Sequence, residues 1–176
     1  MPLVLITGIS TSGKSTVANE LIKRGYEAYD TEHNGISAWY NKKTGKRTAE
    51  FGEAPERTQS WLDQHEWLIS KDWVTEMAIK AGGKPIFLCG GSANEPEIRE
   101  MCQKVIWLKT NEATIRKRVD IPRDHDYGTK PHELALAIKS NKQKEAEYLA
   151  YGAAMVDATR PIEDVIDEIL AGVKDA

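Results

Sequence analysis

An apolar run of strand length leads directly into a glycine-bracketed loop, and this junction constrains the fold more than any other stretch. The run covers residues 3–7, and the loop reads GISTSGKS from Gly8 to Ser15. Glycines allow backbone geometry closed to other residues, so successive N–H groups can turn inward around a phosphate. A helix predicted over 14–24 would add the positive end of its dipole. The junction therefore predicts a phosphate-binding loop between a first strand and a first helix.

The loop matches the pattern G-x-x-x-x-G-K-[ST] without a mismatch, and that pattern assigns chemistry to single residues. Lys14 can reach the β- and γ-phosphates of a nucleotide, and the Ser15 hydroxyl can bind Mg²⁺. Thr16 is expected near the α-phosphate. The implied cofactors are ATP and Mg2+. The predicted nucleotide-binding positions in the loop are Gly8, Ser10, Thr11, Ser12, Gly13, Lys14, Ser15 and Thr16.

Strand and helix patterns alternate along most of the remaining chain. Further strands are predicted over 26–29, 85–89, 105–108 and 154–157. Further helices are predicted over 96–102, 111–119, 131–151 and 161–173. Because such alternation implies parallel pairing through right-handed crossovers, we expect a three-layer α/β domain with a five-stranded parallel sheet.

One region between the second and third of these strands breaks the alternation. Residues 36–51 predict a hairpin that turns at Thr44 and Gly45. A long helix is predicted over 56–81, with an apolar stripe expected to face the core, made of Leu62, Ile69, Trp73 and Met77. No linker or repeat is visible, so we expect a single domain over 1–176 with an insertion at about 33–84.

Composition limits the kinds of binding partner that we expect, and says little about the fold. The formal net charge of −3 gives no reason to expect nucleic acid or an acidic membrane surface as a partner. The amino-terminal apolar run lacks a basic flank and has only strand length, so we expect a cytoplasmic protein. Cys89 and Cys102 are too few for a disulfide framework, and we expect two free thiols. A monomer and a homodimer both remain open.

Two classes of nucleotide-binding protein lack their signatures here. GTP-binding switches carry N-K-x-D, and the nearest string, NKQK at 141–144, has no aspartate. Motor ATPases follow a later strand with an acidic residue, whereas strand 85–89 ends in FLCGG. The remaining class of nucleotide-binding protein is the enzymes that transfer a phosphoryl group to a small acceptor.

At this point the sequence resembles the adenylate-kinase-like small kinases, closest to their shikimate and gluconate kinase branch. The resemblance rests on the phosphate loop, on Asp30-Thr31-Glu32, on the CGGS string at 89–92, and on residues 114–128. It implies the P-loop fold with strand order 2-3-1-4-5 and a lid at about 119–131. It also implies that Asp30 helps to hold Mg²⁺ and the reacting hydroxyl, that Glu32 binds the substrate, and that Gly90 and Gly91 line the acceptor pocket.

The resemblance places arginines beside a mobile lid, where guanidinium groups can stabilise the charge of the transferring phosphoryl group. The candidates are Arg116, Arg118 and Arg123. Helical spacing puts Arg116 and Arg118 on different faces, and Arg118 fits the position before the lid best. Lys14, Asp30, Arg118 and Arg123 are therefore the predicted catalytic residues.

Two further segments supply candidate binding residues. Residues 156–165 resemble the loop on the adenine side of the family, which makes Thr159, Arg160 and Pro161 candidates for contacts with the nucleotide. The insertion holds candidates for acceptor binding, since aromatic walls suit a sugar ring or a base and arginines suit a phosphate or carboxylate. These candidates are His33, Trp39, Tyr40, Arg47, Arg57, Trp61 and Trp67.

The sequence thus favours an ATP-dependent kinase that phosphorylates a hydroxyl of a small metabolite. Two alternatives remain at this level. A nucleoside monophosphate kinase would use Arg47 and Arg57 to grip an acceptor phosphate. A non-catalytic ATP-binding regulatory module would bind nucleotide without turnover.

Overall fold

The computed structural model of the protein describes residues 3–53, 57–121 and 131–174. Each strand and helix predicted outside the insertion is present, within two residues of its predicted ends. Numbered along the chain, the elements are β1 (Leu3–Thr7), α1 (Lys14–Lys23), β2 (Glu27–Asp30), β3 (Ser37–Asn41), β4 (Arg47–Ala49), α2 (Gln59–Gln64), β5 (His65–Ile69), α3 (Lys71–Lys80), β6 (Ile86–Cys89), α4 (Glu95–Glu100), β7 (Lys104–Lys109), α5 (Glu112–Val119), α6 (Pro131–Tyr151), β8 (Ala154–Asp157) and α7 (Ile162–Lys174).

The main sheet has five strands in the order β2-β6-β1-β7-β8, and every neighbouring pair is parallel. This confirms the predicted α/β architecture with a five-stranded parallel sheet. In the ladder, Asp30 lies opposite Cys89, and Ile6 also pairs with Cys89. The loop that follows β1 and the acid that ends β2 therefore emerge at the same edge of the sheet, where open α/β proteins bind their ligands.

Helices cover both faces of this sheet. The side chains of β1 alternate between the two faces and pack into a hydrophobic cluster on each. Val4 and Ile6 pack with residues of α1 and α7, whereas Leu3 and Leu5 pack with residues of α3 to α6. Among the described helices, none is both long enough and apolar enough to cross a bilayer.

The insertion differs from its prediction. The hairpin is present as β3 and β4, and Gly45 takes a positive φ of 65° in its turn. The single long helix over 56–81 is wrong: the chain instead forms α2, the strand β5 and α3. The strand β5 pairs antiparallel with β3, which gives a second sheet in the order β4-β3-β5.

Local capping explains why one long helix does not form. Ser70 accepts a hydrogen bond from the backbone N–H of Trp73 and begins α3, while Thr58 caps α2 in the same way through Trp61. Residues 65–69 between these caps satisfy their backbone groups on β3. The predicted stripe therefore divides: Ile69 is buried at the end of a strand, and only Trp73 and Met77 lie on a helix that packs against the core.

The segment after β6 connects the second sheet to the main sheet through hydrogen bonds. The buried amide of Asn94 donates to the carbonyl of Ile69 and accepts from its N–H, as a neighbouring strand would. The N–H of Ala93 donates to the carbonyl of Trp67. These bonds fix the end of β5 beside the carboxyl edge of the main sheet.

Both cysteines are free, as expected from the sequence. Cys89 is buried in β6, and burial raises the pKa of its thiol well above the usual range. Burial also raises the pKa of the Cys102 thiol, to about 12.

Candidate active site

The loop after β1 has the backbone geometry that its glycines predict. Gly13 has a φ of 103°, and Thr11 also takes a positive φ, 72°, which is uncommon for a residue with a side chain. A Cβ on Gly8 would lie 2.6 Å from the Ser12 Oγ, so no side chain fits there without moving the loop. The loop therefore turns tightly and leaves its backbone close to the space that it encloses.

The first turn of α1 opens toward this space. Gly13 occupies the N-cap and has no side chain with which to accept a hydrogen bond from the first-turn amides. An uncapped helix N-terminus is a binding site for phosphate, because its N–H groups lack partners and the dipole favours negative charge. The ammonium of Lys14 folds back over the loop and donates to the carbonyls of Gly8 and Ile9, at 3.0 and 2.9 Å.

Asp30 lies at the end of β2 next to this helix. Its Oδ1 accepts from the backbone N–H groups of Glu32 and His33, and the His33 Nδ1 lies 3.0 Å from Oδ2. Burial alone would raise the pKa of Asp30. Hydrogen bonds from the Ser15 hydroxyl and the His33 amide outweigh burial, so the pKa lies below its ordinary value. Asp30 is thus an ionised carboxylate in contact with Ser15.

Glu32 occupies a different electrostatic environment two residues along. Burial and the charge of Asp30 raise its pKa, and the ammonium of Lys14 only partly opposes this. The two acids therefore differ in character: Asp30 is held as an anion, and Glu32 keeps a proton more readily and can donate a hydrogen bond.

A cavity of about 1460 Å³ connects the phosphate loop, the end of β2 and the second sheet. Most of the predicted site residues line it: Gly8, Ser10, Thr11, Ser12, Gly13, Lys14, Ser15, Thr16, Asp30, Glu32, Trp39, Arg57, Gly91, Arg118 and Arg160. The fold therefore brings the predicted nucleotide and acceptor residues into one space.

The predicted arginines separate into different environments. The guanidinium of Arg118 donates to the carbonyls of Thr11 and Ser12 in the loop and, from its other end, to the carbonyl of Ala158. Arg116 forms an ion pair with Glu112 on the exposed side of α5 and does not line the cavity. Arg123 lies outside the described residues. Arg118 thus ties the phosphate loop to the segment after β8.

That segment forms the end of the cavity expected to hold the base. Ala158, Arg160 and Ile162 line it, and Arg160 is held by an ion pair with Glu168. The Thr159 hydroxyl is turned toward the Asp157 carboxylate instead. Pro161 precedes α7 and is not part of the lining.

The predicted acceptor residues also divide. Arg57 lines the cavity, whereas Arg47 donates to the Gly35 carbonyl and forms an ion pair with Glu50 away from it. Gly91 lines the cavity and Gly90 does not. A Cβ on Gly90 would lie 1.9 Å from the Thr31 Oγ1, so this glycine allows two strand ends to approach each other.

A buried carboxylate that the sequence did not single out lies at the same edge of the sheet. Glu95 is only 3% exposed, and its Oε1 accepts from the Thr7 hydroxyl at 2.6 Å. Its Oε2 accepts from the Tyr148 hydroxyl and faces the Lys144 ammonium. In sequence it is an ordinary first-turn acid before Pro96. Only the fold shows that it joins β1, α4 and α6 and lines the cavity.

Comparison with known proteins places this geometry in a fold family. The sequence matches no protein-family model and no curated protein. Solved structures do match over nearly the whole chain. A gluconokinase from Sinorhizobium meliloti 1021 superposes with a TM-score of 0.55 at 17% identity, covering 99% of this chain and 92% of that one. A shikimate kinase from Aquifex aeolicus vf5 gives 0.59 at 16% identity, with 98% and 96% covered.

This chain has the shikimate and gluconate kinase fold. A sugar kinase from Janibacter sp. HTCC2649 matches in the same way, with a TM-score of 0.56 at 18% identity over 97% of this chain and 93% of that one. The resemblance read from the phosphate loop and the strand ends is thereby confirmed in three dimensions at the level of the fold.

Proposed function

We propose that the protein is an ATP-dependent phosphotransferase that moves the γ-phosphate to a hydroxyl of a small molecule. The observation that carries this proposal is one cavity that both the phosphate loop and Asp30 line, with the pKa of the Asp30 carboxyl held below its ordinary value. The names of the structural neighbours, a gluconokinase, a shikimate kinase and a sugar kinase, support the same class of acceptor.

In this proposal the loop amides and Lys14 hold the phosphates, and Asp30 orients the acceptor hydroxyl. The acceptor oxygen forms a bond to the γ-phosphorus, and the bond from that phosphorus to the β,γ-bridging oxygen breaks. ADP leaves with the electron pair of that bond, and the hydroxyl proton passes to the Asp30 carboxylate. Arg118 holds the loop in position through its three carbonyl contacts.

The donor set fits a magnesium ion. The Ser15 hydroxyl and the Asp30 carboxylate are hard oxygen donors in contact with each other, and both line the cavity. Mg²⁺ is typically bound by one or two such protein groups together with substrate phosphates. When bound, the ion neutralises charge on the β- and γ-phosphates.

The phosphate-accepting alternative has less support. It needs Arg47 and Arg57 to act together, yet Arg47 is bonded to the Gly35 carbonyl and to Glu50, away from the cavity. A hydroxyl acceptor needs only the Asp30 side of the site.

The test is ADP release from MgATP across a panel of alcohols, measured with Asp30→Asn and Lys14→Ala beside wild type. Loss of the proposed base should lower acceptor-stimulated turnover by about 10²-fold or more. Asp63→Asn is the matched control, because Asp63 is exposed on α2 and bonds only to Gln59 among the contacts described for its side chain. Tight ATP binding without turnover of any alcohol would favour a regulatory module instead.

A further inference from the structure

Three aromatic side chains form one wall of the acceptor end of the cavity. We call Trp39, Phe51 and Trp67 the aromatic wall; all three line the cavity, and each is partly buried. The Trp39 and Trp67 ring centroids lie 5.4 Å apart at 63°, and those of Phe51 and Trp67 lie 6.3 Å apart at 59°. The rings therefore form a continuous angled surface rather than isolated contacts.

The second sheet holds this wall in place. Trp39 on β3 lies directly opposite Trp67 on β5, so the strand register sets the distance between the two indoles. Behind them, the Trp61 ring packs edge-on against Trp39 at 4.8 Å and stacks on His65 at 4.2 Å. The surface is thus built before any ligand arrives, which reduces the entropy cost of binding to it.

Polarity changes along this end of the cavity. Near the phosphate loop are the carboxyl groups of Asp30 and Glu32. The His33 ring contacts Asp30 and lies 4.9 Å from the Phe51 ring, so the aromatic wall begins where the acids end. Beside the wall, Gly52 and Leu62 add apolar lining, and Arg57 adds a planar guanidinium that can stack on a flat ring.

Resting on the proposed function, we infer that the acceptor has two parts: a hydroxyl-bearing part that meets Asp30 and a flat ring that stacks on the aromatic wall. Hydroxyls directed at the ring faces of the wall would lack partners, which is costly, so a lone polyol can place only its C–H groups there. A planar ring instead gains stacked and edge-to-face contacts there. Nucleosides and aryl glycosides both have this chemistry.

The test measures binding at the acceptor end by calorimetry, with Mg²⁺ and a non-hydrolysable ATP analogue filling the nucleotide end. The probes are two matched pairs: phenyl β-D-glucopyranoside against methyl β-D-glucopyranoside, and uridine against D-ribose. The ring-bearing member of at least one pair should bind about 5- to 100-fold more tightly, the range expected for stacking on aromatic side chains. The pair with the larger ratio identifies the source of the ring.

Variants assign the preference to the wall. Trp67→Leu and Trp39→Leu should each reduce the ratio toward one, while Trp67→Phe should retain much of it because a smaller aromatic face remains. Trp73→Phe is the matched control: this indole packs against Tyr29 in the core, away from the cavity, and its variant should keep the full ratio. Circular dichroism checks that each variant folds.

Equal binding within both pairs by the wild type would overturn the inference. So would a ring preference that neither Trp67→Leu nor Trp39→Leu reduces. The proposed function fails separately: if ring-bearing alcohols bind through the wall but release no ADP from MgATP, the wall is supported and phosphotransfer is not. If lone polyols are phosphorylated with the same kcat/KM as ring-bearing alcohols, phosphotransfer is supported and the inference is wrong.

Discussion

Replacing Gly90 with alanine should separate the end of β6 from the end of β2. The new Cβ would lie 1.9 Å from the Thr31 Oγ1 and 2.9 Å from its Cβ and Cγ2. Thr31 is fully buried, and its carbonyl accepts hydrogen bonds from Ile36 and Ser37 at the start of the second sheet. Rotating the Thr31 side chain cannot move its Cβ, so the backbone must shift, and this is a case of overpacking.

Overpacking of this kind costs about 1–3 kcal/mol. In a chain of this length each kcal/mol lowers Tm by roughly 2–4 °C, so Gly90→Ala should lower Tm by roughly 2–12 °C. Urea unfolding followed by circular dichroism gives the free energy of unfolding directly. Because Thr31 lies between Asp30 and Glu32, acceptor-stimulated turnover should fall as well.

A second-site change and a control make the reasoning refutable. Thr31→Gly removes all three clashing atoms, so in the double variant the cost of the Gly90 change should largely disappear, with a coupling energy of about 1 kcal/mol or more. Gly172→Ala is the control: it lies in α7 with only the end of the Lys104 side chain nearby, at 3.5 Å, and should stabilise by about 0.5–1 kcal/mol. If the free energy of unfolding of Gly90→Ala lies within about 0.5 kcal/mol of the wild-type value, the steric clash does not exist as described.

Two further substitutions test contacts around the site, and a labelling rate tests the burial of a thiol. Arg118→Lys should weaken ATP binding about tenfold in calorimetry because it loses the fork that joins Thr11, Ser12 and Ala158, whereas Arg116→Lys, on the exposed side of the same helix, should not; equal effects would contradict this role. Tyr148→Phe removes a donor from the buried Glu95 carboxylate and should lower the free energy of unfolding by about 1.5–3 kcal/mol in urea. Tyr151→Phe, on the exposed surface, should change it by less than about 0.5 kcal/mol, and similar losses from both would count against the Glu95 contact. The Cys102 thiol, with a pKa of about 12 against an ordinary 9.0, should react with iodoacetamide about 10³-fold more slowly at pH 8 than an ordinary thiol. Since the thiolate is the reactive form, its rate should rise about tenfold per pH unit toward that pKa, and a rate equal to that of a free thiol would refute the burial argument.

The insertion was the least predictable part of the chain. Its stripe of Leu62, Ile69, Trp73 and Met77 has helical spacing, yet residues 65–69 form a strand. The five residues between α2 and the Ser70 cap have no strong preference of their own, and a partner strand satisfied their backbone groups. The hairpin was predictable because Gly45 marks its turn locally.

Within the candidate site, the same distinction separates Asp30 from Glu95. Asp30 could be chosen from sequence because it ends a predicted parallel strand, and the carboxyl ends of parallel strands meet at the edge of the sheet where the phosphate loop also lies. Glu95 could not, since its role depends on Thr7 and Tyr148, which lie 88 and 53 residues away along the chain. Arg47 and Arg57 look alike in sequence, but only Arg57 lines the cavity.

The sequence by itself determined the parallel α/β frame and the phosphate loop, because strand and helix periodicity, glycine geometry and helix capping act over a few neighbouring residues. The tertiary structure alone decided which distant side chains share the cavity: that Trp39 faces Trp67, that Asp30 and the phosphate loop line the same space, and that Arg118 closes onto Ala158. Such contacts depend on register and packing between elements, for which a local stretch of chain carries no signal.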